Sequence, residues 1–271
     1  MTRTDLLSLM KKFTIPFVLL CLLFFPPLSH AQNDKSTYQD GEWIKLRIHY
    51  GWFNASYATL EVKEKMIGDT PVYHVKGRGK STGLLHAFFK VDDTYESTID
   101  KKTELPIQFK RDINEGGHTK NKILWFNQRA QTAKVRDLKH NTTNEYETNP
   151  NVQDMISAFY YARNQIADNL KEPGDELIID MFYDEKNYKF KTVYLGREVI
   201  KTKFGRIETL KLRPYVQAGR VFKEQEGLTV WLSADKNKIP IKVRAKLAVG
   251  SLTASLEDYK GLKYPLQELK P

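Results

Sequence analysis

Residues 43–50 read Trp43-Ile44-Lys45-Leu46-Arg47-Ile48-His49-Tyr50. In an extended chain Ile44, Leu46, Ile48 and Tyr50 fall on one side and Lys45, Arg47 and His49 on the other, the period of a strand with one wet face. The pattern returns in Ala58, Leu60 and Val62 against Thr59, Glu61 and Lys63. It returns again in Ile241, Val243, Ala245 and Leu247 against Lys242, Arg244 and Lys246. Parallel strands, buried on both faces, read as apolar runs, so these strands are antiparallel.

Further strand patterns lie near 71–78, 92–100, 106–113, 119–126, 175–183, 187–195, 197–204, 206–216, 228–233 and 252–259. Gly68-Asp69, Asn127-Gln128, Glu185-Lys186-Asn187, Gly205, Asp235-Lys236-Asn237 and Gly250-Ser251 separate them as turns. From 151 to 170 the period changes: Val152, Met155, Ile156, Phe159, Tyr160, Ile166 and Leu170 recur at three and four, as on an amphipathic helix. Asn149 suits its cap, Pro150 its first turn, and Pro173-Gly174 its stop. A shorter helical turn is expected over Thr82–Phe89. The fold class is therefore mainly β: a large antiparallel curved sheet or open barrel-like meander of about a dozen strands, with one long amphipathic helix over 151–170. The helix either plugs one continuous sheet or joins two β subdomains. The first is favoured, because an apolar helical face needs a concave sheet to bury against.

Ahead of this domain, Arg3, Lys11 and Lys12 precede an apolar stretch from Phe13 to Leu28, then Pro26-Pro27 and Ser29-His30-Ala31. That is the order of a secretory signal peptide with cleavage after Ala31. A bilayer span needs roughly 20 apolar residues, more than this stretch offers between its prolines. Cys21, the one cysteine, sits inside the apolar stretch after Leu20, unlike a lipidation site, so the chain is not expected to be a lipoprotein. The expected organisation is signal peptide 1–31, polar lead 32–41, a single β-rich domain 42–261 and a C-terminal tail 262–271, the domain holding β runs 42–148 and 175–260 on either side of the helix. The expected location is the periplasm or the extracellular space.

Without residues 1–31 the chain has no thiol, which removes disulfides, thiolate metal sites and cysteine nucleophiles. Losing three of 43 basic and one of 33 acidic residues lowers the net charge from +10 to +8. Such a charge favours anionic partners, although the lysines alternate along strands as a solvated surface would. Nucleic acid and nucleotide are not expected partners. No basic stripe is interleaved with aromatics, and Gly77-Arg78-Gly79-Lys80-Ser81-Thr82 has His74 where a phosphate-binding loop needs its first glycine. His49, His74, His86, His118 and His140 show no metal-binding spacing, and no Gly-x-Ser-x-Gly elbow exists, so neither a metal nor a cofactor is expected. Asn54-Ala55-Ser56 and Asn141-Thr142-Thr143 match glycosylation acceptors, relevant only to a eukaryotic secretory route. Trp52-Phe53, Phe88-Phe89 and Tyr160-Tyr161 are adjacent aromatic pairs, of which a strand would point one ring outward.

The candidate site starts from Leu105–His118. Alternation places Arg111 in a row with Ile107, Phe109 and Ile113, and an inward guanidinium must find a carboxylate or a ligand. Glu115 is the nearest partner, with Asp93, Glu96 and Asp100 as others. An Arg111–Glu115 pair at the sheet's end is one reading; an anchor for an anionic headgroup beside an apolar cleft is the other. The cleft would be lined by Tyr95 and by Met155, Ile156, Phe159 and Tyr160 on the helix. The expected function is noncatalytic binding of a lipid or other anionic amphipathic envelope molecule between curved sheet and helix. Two alternatives remain open: a glycan- or lipid-acting hydrolase using Asp93, Glu96 or Glu115, and an envelope scaffold.

Asp93-Thr94-Tyr95-Glu96-Ser97-Thr98-Ile99-Asp100, Pro106–Gly116, and Gly227–Asp235 leading to Ile239-Pro240 together resemble a bacterial envelope family, the domain-of-unknown-function family numbered 3108. The resemblance spans roughly 40–260. It implies a bacterial exported β-rich protein and brings no activity to assign to any residue. The expected arrangement is also similar to periplasmic lipoprotein carriers, in which a curved antiparallel sheet and a helix enclose an apolar cavity; that is an analogy of fold.

Overall fold

The computed structural model describes residues 36–83, 86, 90–215, 227–247 and 250–269. The signal segment, Cys21, the Phe88-Phe89 pair and most of the expected turn at Thr82–Phe89 lie outside the described residues. The strands are β1 (Trp43–Tyr50), β2 (Phe53–Ile67), β3 (Thr70–Ser81), β4 (Asp92–Asp100), β5 (Pro106–Glu115), β6 (His118–Asn127), β7 (Thr132–Asp137) and β8 (Thr142–Glu147). After helix α1 (Met155–Asn169) follow β9 (Glu176–Tyr183), β10 (Lys186–Thr202), β11 (Gly205–Tyr215), β12 (Leu228–Ser233), β13 (Pro240–Lys246) and β14 (Ser251–Lys260).

All fourteen strands form one open antiparallel sheet in the order β8-β7-β6-β5-β4-β3-β2-β1-β14-β13-β12-β11-β10-β9. The first and last strands pair at its centre, Trp43 with Lys260 through Tyr50 with Leu252. The expected single sheet is therefore borne out, and α1 connects its two edges. Register shifts at Ile48/His49, Thr98/Ile99, Tyr194/Gly196 and Trp231/Leu232 are bulges, which sharpen the twist that curls a sheet this wide.

The helix differs from the sequence reading at its start. Val152 is buried, but in an extended segment: Gln153 N–H donates to Asp180 O and Phe182 N–H to Gln153 O, beside β9. The cap is Asp154 instead of Asn149. Its carboxylate accepts from the N–H groups of Ile156 and Ser157, and Ser157 Oγ accepts from Asp154 N–H. Ser97 Oγ donates to the same carboxylate at 2.6 Å, tying the helix start to β4. The expected strands 187–195 and 197–204 are one strand, β10, bulged at Gly196. β7, whose Ala133 and Val135 alternate inward over only six residues, and β8, a polar, mostly exposed edge, are additional to the expected strands.

Up-and-down connectivity puts the turns after β1, β3, β5, β7, β9, β11 and β13 at one end of the sheet, here the upper end. The lower end is closed. Arg163 of α1, fully buried, makes a bidentate pair with Glu42 at 2.7 and 2.8 Å and donates to Asn237 O. Tyr38, the residue most deeply buried in the expected polar lead, packs edge-on to Tyr160 at 4.6 Å. The C-terminal segment joins them through Asn237 Nδ2 donating to Tyr264 O and Gln267 N–H to Asp235.

Candidate functional site

On β1, β2, β12 and β13 the inward rows lose burial toward the upper end, whereas Phe109, Arg111 and Ile113 of β5 stay buried throughout. Along β1, Ile44 is 1% exposed, while Leu46 and Ile48 are half-buried. Val62 gives way to half-buried Leu60 and Ala58 on β2, Ile241 to Val243 and Ala245 on β13, and Leu232 to Val230 and Leu228 on β12. These apolar side chains are half-buried, Leu46 and Leu60 packing against the core around Ile44 and Ile241. Met155 and Phe159, one helical turn apart, are also half-buried and pack where the clusters holding Leu60 and Val230 meet α1.

Arg111 stands in the wall of this half of the sheet, 2% exposed, directly opposite Tyr95 on β4 and Lys122 on β6. Two cations opposite one another repel, and neither Glu96 nor Asp100 resolves this. Glu96 points outward, 2.7 Å from Lys76, and Asp100 accepts from the N–H groups of its own turn. Asp184, 73 residues away, takes Arg111 at 2.5 Å, and Glu185 pairs with Lys122. Both carboxylates sit on the β9–β10 turn with φ of 46° and 64°, left-handed conformations that glycine normally supplies. Burial alone would raise the Asp184 carboxyl, but Arg111 and then Lys120 hold it below its ordinary value. The Tyr183 ring lies 4.6 Å from the guanidinium. Arg111 Nε is buried without a hydrogen-bond partner among the described residues. The space enclosed by Phe109, Leu124, Phe182 and these four charges is about 10 Å³, no more than a water.

Asp93 and Glu115 come together instead of pairing with Arg111. Asp93 accepts from Asn114 N–H at 2.9 Å, beside Glu115. Burial lifts the Asp93 carboxyl to about 6, the Asn114 N–H opposing and Glu115 adding to the rise.

Of the eight residues singled out from sequence, Asp93, Tyr95, Arg111 and Glu115 neighbour one another on β4 and β5, and Met155 and Phe159 are half-buried. Ile156 and Tyr160 are core, 7% and 0% exposed. Lys122 was missed, although β6 carries the same signal as β5: alternation puts it in a row with Leu124 and Phe126. Asp184 and Glu185 had no local signal. Among the described residues no cluster of three metal-ligating side chains occurs, and no helix is long and apolar enough to cross a membrane.

The fold is shared with a solved structure. The chain is similar to a β-barrel-like protein of the unknown-function family DUF1849 from Brucella abortus, with a TM-score of 0.53 at 7% identity over 82% of this chain and 98% of that one. A DUF1089 family protein from Pseudomonas aeruginosa aligns at a TM-score of 0.36 and 9% identity over 77% of this chain and 92% of that one. Comparison with curated proteins finds no match. The sequence model of the family described as protein of unknown function, DUF3108, matches residues 45–257, and the chain belongs to that family.

Proposed function

We propose that the protein is an exported, noncatalytic envelope protein that holds an anionic amphipathic molecule in the upper mouth of its curved sheet. The observation that carries this is the fall in burial along the inward rows, from Ile44, Val62 and Ile241 to Leu46, Leu60 and Val243. Apolar side chains left half-covered inside a concave face gain by covering, at about 25 cal/mol per Å². An acyl chain laid against them meets Met155 and Phe159 on α1. Its anionic end reaches Arg111 and Lys122 by taking the place of the Asp184 and Glu185 carboxylates, on a turn whose backbone is strained in the closed state. Export rests on the charged, apolar and small-residue order of residues 1–31.

Titration of delipidated protein with a fluorescent fatty acid tests the reading. Phe159→Asp should weaken binding about tenfold or more by placing a charge in the apolar floor. Asp184→Asn should strengthen it by removing the competing carboxylate. A folded wild-type protein that takes up no probe, and that carries no lipid by native mass spectrometry when purified from its own compartment, would rule the proposal out.

A further inference from the structure

Trp52 and Phe53 form the tip of the β1–β2 hairpin on the rim of the mouth. Trp52 is 85% exposed and Phe53 46%, and the two rings stack on each other at 3.7 Å and 25°. Gly51, at φ 55°, makes the turn that carries Trp52 past the strand ends, and Tyr50, 39% exposed, pairs with Phe53 across the hairpin. Single exposed rings are ordinary, but a stacked pair at a hairpin tip, one ring almost wholly in solvent, is an apolar projection.

The charge behind this projection has one sign. Segments 43–50, 53–60, 70–81, 240–246 and 251–256 contain no acidic residue. One register row on the outer face runs Lys80, Tyr57, Arg47, Ser255 and Lys242 across β3, β2, β1, β14 and β13. Arg78, Arg244 and Lys246 lie in neighbouring positions of the same strands. The acidic groups at hand are Glu257, 3.8 Å from Arg47, Asp92, across from Lys80 in register, and Glu198, which Lys242 helps hold ionised, fewer than the cations they face.

We infer that the β1–β2 tip docks this protein on a bilayer bearing anionic lipid, Trp52 and Phe53 entering the headgroup boundary while the basic outer strands lie over the headgroups. Aromatic rings settle at that boundary, and cationic side chains within a Debye length of an anionic leaflet are attracted to it. A glycan fits less well, because the two rings spend a face on each other and Asn54 Nδ2 already donates to Tyr57. Docking goes beyond the binding proposed for the mouth and stands without it.

The chain from Gln32 onward, sedimented with phosphatidylcholine vesicles with or without roughly a third phosphatidylglycerol, tests this. The expected result is sedimentation with the anionic vesicles alone, lost as salt rises. Affinity should drop about tenfold in W52S/F53S and in R244E/K246E, both keeping wild-type circular dichroism and melting. F159D should sediment as the wild type does, which separates a failure here from a failure of the mouth. Docking is overturned if the folded wild type ignores anionic vesicles at low salt or if W52S/F53S sediments unchanged. It is equally overturned if Trp52 instead supports a dimer or glycan binding without vesicles.

Discussion

At the scale of single residues, the chemistry of the upper wall is set by charges placed where alternation calls for apolar side chains. Arg111 is legible for that reason, and Lys122 is legible by the same rule. Asp184 is not, because it reaches Arg111 only after β9 has been laid against the concave face. Asp93 offers a test independent of any ligand. Its folded carboxyl titrates at about 6 against 3.8 unfolded, so between those values the folded chain holds a proton that the unfolded chain releases. The stabilisation is complete below the unfolded value and lost as pH rises through 6. Asp93→Asn should therefore raise the melting temperature at pH 7 by about 2–4 °C and have little effect at pH 4, in paired thermal melts. An equal shift at both pH values would show that Asp93 is ionised throughout.

Elements carry their own logic of starts, stops and bends. The helix was legible from its period, but its cap was misplaced because Val152, in phase with the helical face, is buried by an extended segment against β9. Gly196 interrupts the β10 pattern and reads as a boundary between two strands. In the structure it is a bulge at φ 113°, with Pro173 Cγ 3.8 Å from where a Cβ would stand. A β-branched side chain is strained at that φ whatever the space around it. Gly196→Val should cost about 1–3 kcal/mol in urea unfolding and leave β10 paired, and an unchanged midpoint would show that the bulge can relax.

Across the whole molecule, segments 36–42 and 262–269 meet at the lower end beside α1. Tyr38, Phe159 and Tyr160 surround the Arg163 guanidinium, and burial disfavours its charge while Glu42 more than restores it. Glu42→Ala should cost about 3–5 kcal/mol by leaving a buried cation unpaired, whereas Glu42→Leu with Arg163→Met should recover most of that loss. Equal losses in the single and double variants would mean that packing, not charge, decides this site. By itself the sequence determined the antiparallel class, most strand positions, the one long helix and the inward Arg111, because periodicity and turn chemistry act over a few residues. Only the tertiary structure decided that β1 pairs with β14 in one open sheet, that residues 36–42 and 262–269 close its base, and that Asp184 and Glu185 occupy the cations of its wall. Those contacts join residues tens to hundreds of positions apart, and no local pattern encodes which distant strand or charge arrives opposite.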